Sequence, residues 1–163
     1  MSVRLDDAET REFLRSAHTG ILTTLRKNGM PVSLPMWFVA PDGVVYVQTP
    51  SRSKKVSRIR NDPRVGFLVE SGLRWAELKA VHLSGRAVFV EDAAEKERVS
   101  QAMMEKYAGF RTPRSQYPSA TRKHYSDERL TIRIDVEGRV LSWDNAKIPL
   151  GQSGERAGRA QDT

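Results

Sequence analysis

Between Ser51 and Arg60 five cations, Arg52, Lys54, Lys55, Arg58 and Arg60, stand without a single acid. A charge run of this kind is commonly a solvated face. Here its placement argues for a ligand. The spacing predicts a short helix over 53–61, with Val56 and Ile59 on its apolar side and Pro63 ending it. Lys54 and Lys55 then fall in the first turn, where the helix dipole already presents its positive pole. Lys54 and Arg58, four positions apart, form a like-charge pair costing about 0.3 kcal/mol. Several local rules broken together mark functional positions. A bound anion would reverse each penalty: the Ser53 hydroxyl and the first amides would donate to it, and the lysines would neutralise it. The sequence therefore predicts a phosphate-binding site at this helix start.

Other chemistry is thinner. No cysteine is present, which removes disulfides, thiolate metal sites and thiol nucleophiles. His18, His82 and His124 are scattered, with no metal-ligand spacing and no Ser-His-Asp set. Trp37 fits either the core or a ring contact, Trp75 a packing residue over the end of the fold, and Trp143 either role. Met103 and Met104 read as core or interface.

Elements must position these residues. Asp6 and Glu9 are spaced as a capping box for a helix whose apolar face is Phe13, Leu14 and Ala17. Strands follow at 20–25, 31–39 and 44–48, joined by turns at Lys27-Asn28-Gly29 and Pro41-Asp42-Gly43, and predict a three-stranded antiparallel meander. Pro31 and Pro35 mark the second strand as an edge or a bulge. Further strands are expected at 64–70 and 81–90. Asp92 and Glu95 cap a helix with Val99, Ala102, Met103 and Tyr107 as its buried stripe. Residues 109–127 read as loop and 130–143 as a last strand around Gly138. About six strands with three short helices predict a small antiparallel β-barrel, one domain over 1–150, followed by a disordered polar tail at 151–163.

Composition agrees with a single domain of 163 residues, 39 % apolar. The longest apolar run is too short for a membrane helix, and the acidic N-terminus does not read as a secretory signal, so a cytoplasmic protein is expected. The net charge of +7 calls for an anionic partner.

Thr49, Ser53-Lys54-Lys55, Ile59 and Asp62-Pro63-Arg64-Val65 resemble the phosphate-binding stretch of the pyridoxamine 5′-phosphate oxidase-like family. Its pattern is a strand ending in Thr, then Ser-Arg-Lys, a short helix, and Asn-Pro before the next strand. Lys54 and Asp62 depart from it, Lys54 at the loss of bidentate geometry. The Gly20-Ile21-Leu22-Thr23-Thr24 strand, the Gly29 to Pro31 hairpin and Pro35-Met36-Trp37-Phe38 also resemble the family. So do Trp75-Ala76-Glu77-Leu78-Lys79 before Gly85-Arg86-Ala87, and Ser142-Trp143-Asp144 with Lys147. The resemblance covers residues 8–150 and is nearest to the flavin and deazaflavin oxidoreductase branch. The Arg-Leu ending of true pyridoxamine phosphate oxidases is absent.

The resemblance implies a split β-barrel that works as a homodimer, with a flavin-type cofactor in each interface cleft. It implies that Ser53, Lys54 and Lys55 hold the cofactor phosphate, assisted by Arg52 or Arg58, and that Gln48 and Thr49 line the ribityl chain. Pro35, Met36 and Trp37 would lie along the ring system. Trp75, Lys79, Trp143 and Lys147 would wall the substrate pocket or reach it from the partner chain. FMN is the expected cofactor and the deazaflavin coenzyme the alternative; either carries hydride to a small organic substrate. Two rivals stand beside this: a non-catalytic flavin or haem binding protein of the same barrel, and a nucleic-acid-binding protein using Arg111, Arg114, Arg122 and Lys123 as well. Against the second, no helix-turn-helix, zinc module or RNP-like aromatic pair is present.

Overall fold

The computed structural model describes residues 3–124 and 128–149; the tail expected at 151–163 lies outside them, as do the side chains of Arg114 and His124. Helix α1 (Asp7–Ser16) opens on the predicted capping box: Asp6 accepts from the Glu9 amide and Glu9 accepts from the Asp6 amide, each at 2.8 Å. Then follow β1 (Gly20–Leu25), β2 (Pro31–Met36), β3 (Phe38–Val39), β4 (Tyr46–Pro50), α2 (Lys54–Asn61), β5 (Arg64–Ser71) and β6 (Lys79–Phe89). Helix α3 (Ala93–Lys106), α4 (Ser119–His124), β7 (Arg129–Val136) and β8 (Leu141–Asp144) complete the chain.

All pairings are antiparallel, in the order β2-β1-β5-β6-β7-β4-β3, with β8 also on β6. The strands β2 and β3 are separated in sequence only by Trp37, yet they stand at opposite ends of this order. The sheet must therefore curl until its two edges meet at Trp37. This is a half-barrel closed by a seam, consistent with a split barrel. The core fills its interior with Leu22, Phe38, Val47, Phe67, Val81, Leu83, Ile132 and Ile134.

Two expected strands are each broken, so six become eight. The 31–39 strand breaks at Trp37. Its first part pairs with β1 and its second with β4, so the expected meander is two hairpins that swap edges. The 130–143 strand breaks at 137–140. There Gly138 takes φ +78°, a left-handed conformation that glycine adopts without strain. Here β7 and β8 still run end to end along one edge of β6, opposite Phe89 to Gly85 and then His82 to Lys79. The loop expected at 109–127 contains α4, whose Arg122 amide donates to the Pro118 carbonyl at 2.9 Å.

On the outside of β3 and β4, α3 seals a second small core of Val39, Tyr46, Val90, Val99, Met103 and Tyr107. A polar network holds its N-terminal half. Tyr46 donates to Glu95 at 2.7 Å, and Arg133 pairs with Glu95 at 3.1 Å and with Asp135 at 2.6 Å. Among the described residues, no helix is long and apolar enough to cross a membrane.

Candidate functional site

Alternation along β4 sends neighbouring side chains to opposite faces. Thr49 points into the barrel end and is buried, its hydroxyl 3.1 Å from Ser53 Oγ. Gln48 points outward under α3, donating to Ser100 Oγ at 2.8 Å. The two residues expected to line one ribityl chain thus face different compartments, because a strand cannot turn consecutive side chains the same way.

The inner compartment centres on the start of α2. Ser53 occupies the N-cap position, but its hydroxyl makes no capping bond, and no acid lies in the first turn. Lys55 Nζ reaches Thr49 Oγ1 at 3.3 Å, and Arg58 Nε donates to Thr24 Oγ1 at 2.8 Å. Burial pushes the Lys55 ammonium below the ordinary lysine pKa, and the Arg58 charge pushes it further. Among the described residues no carboxylate forms a salt bridge with Lys54, Lys55 or Arg58. Lys54 and Arg52 are exposed at the mouth. This cluster pays desolvation and repulsion that no salt bridge among the described residues offsets. Hydroxyls, an uncapped helix start and unneutralised cations suit a phosphate. The nearest acid of the segment, Asp62, is turned away to Arg64 at 2.6 Å, which holds its carboxyl down at a pKa of about 2.

The outer compartment was not expected from the sequence. A cleft of about 560 Å³ runs between the strand break and α3, lined by Trp37, Gln48, Met104, Phe110, Arg111 and Arg129 among others. Trp37 is 36 % exposed, and Met104 and Phe110 are each 62 % exposed. One face of the Trp37 ring stacks on Tyr107 at 4.4 Å and 5°, with the Arg111 guanidinium 6.0 Å from its centroid. His18 meets Phe110 edge-on at 4.3 Å. Helix geometry could have revealed part of this. At a hundred degrees per residue Met104 falls roughly 140° around the helix from Val99, off the face that Val99, Met103 and Tyr107 share. Met103 is core, whereas Met104 faces the cleft with Ser100 one turn before it. The loop contribution of Phe110 and Arg111 carried no periodic signal.

Of the ring-side strand, Pro35 is exposed on the β2 edge opposite Ile21, and Met36 is half-buried against the core. The proposed wall residues do not join them within one chain. Trp75, 57 % exposed, sits in a single 3-10 turn that Asn145 ties down through the Trp75 carbonyl at 2.7 Å. Trp143, 38 % exposed, lies opposite Ala80. Lys79 pairs with Asp144 at 3.3 Å and caps the Phe13 ring, and Lys147 pairs with Glu9 at 2.6 Å. Both lysines brace α1. Lys79 is the first residue of β6 and Lys147 lies in the turn after β8, whereas the C-terminal end of α2 packs Arg60 on Phe89, the last residue of β6.

The sequence model of the family described as Pyridoxamine 5′-phosphate oxidase matches residues 6–139. No curated protein matches the chain. A conserved hypothetical protein of Mycobacterium tuberculosis shares the fold with a TM-score of 0.75 at 29 % identity, over 97 % of this chain and 98 % of that one. A FAD-binding protein of Mesorhizobium loti aligns at 20 % identity and TM-score 0.63, over 85 % and 93 %. A heme binding protein of Mycobacterium smegmatis aligns at 19 % and 0.62, over 89 % of this chain and 60 % of that one.

Proposed function

The chain belongs to the pyridoxamine 5′-phosphate oxidase family, and from that premise we propose that it is an oxidoreductase built around a flavin-type cofactor, FMN in the first instance. The observation that carries this reading is the start of α2. There no acid lies in the first turn, no described carboxylate pairs with Lys54 or Lys55, and Lys55 is desolvated beside Arg58. Ser53, Thr49, Lys54 and Lys55 hold the cofactor phosphate. Arg58, anchored on Thr24, supplies charge from behind Lys55. Bound there, the cofactor supplies hydride chemistry. The chain's own part is to place and surround it.

The strand break at Trp37 lies between the two compartments. A ring extending from the phosphate site along Pro35, Met36 and Trp37 would bring its reactive edge toward the cleft. That cleft offers apolar walls from Trp37, Met104 and Phe110 and the cations Arg111 and Arg129. It suits a planar, conjugated organic substrate bearing a negative or strongly polar substituent. The apolar walls exclude water, and the arginines orient the substituent.

A second copy of the chain would complete the site. Trp75 and Trp143 are exposed, and Trp143 lies opposite Ala80 near the first residues of β6, which fits a wall supplied across an interface. The deazaflavin coenzyme is the alternative cofactor, sharing a phosphate and a tricyclic ring with FMN.

The test is turnover. The FMN-loaded protein, reduced chemically, is offered quinone, enone and nitroaromatic acceptors, and reoxidation is followed by absorbance under nitrogen. Reoxidation that is saturable in acceptor and lost in Arg111→Ala supports the reading. Binding of FMN with no acceptor-dependent reoxidation would make the protein a flavin carrier.

A further inference from the structure

The Trp37 ring borders the cleft, yet Trp37 belongs to no strand. It is the single residue between β2 and β3. Something other than a strand ladder must fix it. The seam offers one candidate.

Tyr107 is wholly buried at the end of α3. Its hydroxyl accepts from the Phe38 amide at 2.9 Å. It has one proton to give and two acceptors in range, the Phe38 carbonyl at 2.7 Å and the His18 carbonyl at 2.8 Å. Phe38 is the first residue of β3, and its side chain fills the barrel core. Its amide and carbonyl are backbone groups that a continuous sheet would satisfy with a neighbouring strand. Among the described residues no strand lies on that side of β3, and one phenolic oxygen serves both. His18 belongs to the segment joining α1 to β1, so the same oxygen ties the opposite side of the seam. The ring of Tyr107 meanwhile lies flat on Trp37 at 4.4 Å, and Lys106 covers the Phe38 ring at 4.2 Å.

We infer that Tyr107 is a positioning residue: its hydroxyl closes the seam at Phe38 and His18, and its ring sets the plane of Trp37 for whatever enters the cleft. It touches no ligand itself. The role of Trp37 in binding FMN rests on the proposed function, whereas the seam closure does not.

The experiment separates the two. Trp75 and Trp143 are replaced by phenylalanine, leaving Trp37 as the reporter. Tyr107→Phe is added, which keeps the stacking ring and removes the hydroxyl. Trp37 emission is expected to shift to the red, and its acrylamide quenching constant to rise at least twofold, with a cooperative melt retained. In the otherwise native chain, Tyr107→Phe should weaken FMN binding about fivefold. Lys54→Ala with Lys55→Ala should weaken FMN binding without moving the Trp37 signal. Unchanged emission and quenching in Tyr107→Phe would overturn the inference. If the native chain binds no FMN, the flavin reading fails while the Trp37 signal still decides the seam. If Tyr107→Phe does not fold, exchange of the Phe38 amide in the unaltered protein decides it. Protection comparable to the β6 core is expected, and exchange as fast as in the 26–30 turn would contradict the closure.

Discussion

Lys55 carries opposing demands. Burial and the Arg58 charge lower its pKa below the ordinary lysine value, so the ammonium is held at a cost in the ligand-free chain. Removing that cost should stabilise the empty protein while damaging the site. Lys55→Met is expected to raise the ligand-free Tm by about 2 °C while weakening phosphate-ester binding, as measured by calorimetry with FMN. The same residue sets a pH dependence. An anion favours the charged lysine, so it raises the pKa that burial has lowered. FMN affinity should therefore hold through neutral pH and fall on the alkaline side, earlier than an ordinary lysine would allow. Lys55→Arg, which stays charged throughout, should flatten that fall. The misplaced lysines were legible in the sequence because they violate dipole logic within one short helix. Tyr107 was legible only as an apolar stripe position, since its hydroxyl partners lie 69 and 89 residues away.

Helix α3 is held at both ends by different means. Its N-terminal half hangs on the carboxylate of Glu95. The Tyr46 hydroxyl hydrogen bond holds that carboxyl below its usual range, and Arg133 adds to it. A carboxyl whose folded pKa is depressed contributes stability present above its unfolded pKa and lost as pH falls through the folded one. Glu95→Gln should therefore lower Tm at neutral pH and make little difference once Glu95 is protonated. Thermal melts of both proteins from pH 7 down to pH 3 would show the two curves converging. Equal melts at pH 7 would remove the network from the account. At the β6–β7 contact the constraint is steric. A Cβ on Gly85 would overlap the Asp135 carbonyl, so Gly85→Ala should cost at least about 3 kcal/mol in a denaturant melt. Most elements could be read from periodicity and turn chemistry. The two strand breaks could not. Trp37 sits in an unbroken apolar run, and only the closing of the sheet forces the chain to change edges there.

At the scale of the whole molecule, the curled sheet is what would let one short helix and one strand break serve the proposed ligand together. Closing the edges at Trp37 leaves the inner cationic cluster and the outer cleft on either side of β4. The net charge of +7 and its focus on residues 52–60 could be read in the sequence, but the turn of Asp62 away to Arg64 needed the fold. The cleft was illegible because it joins a strand break, a helix face and a loop that share no sequence pattern. If a second copy completes the site, sedimentation should give a species of twice 18.4 kDa, and Trp143→Ala should weaken FMN binding without disturbing the Trp37 environment.

The most direct measurement is an equilibrium titration of FMN into the purified protein, followed by flavin and tryptophan fluorescence and repeated with Lys54→Ala combined with Lys55→Ala. Binding at micromolar concentration or tighter is expected, at least tenfold weaker in the double variant, with the deazaflavin coenzyme titrated alongside to choose between the two rings. Failure of both cofactors to bind, or equal affinity in the double variant, would contradict a flavin phosphate held at the start of α2.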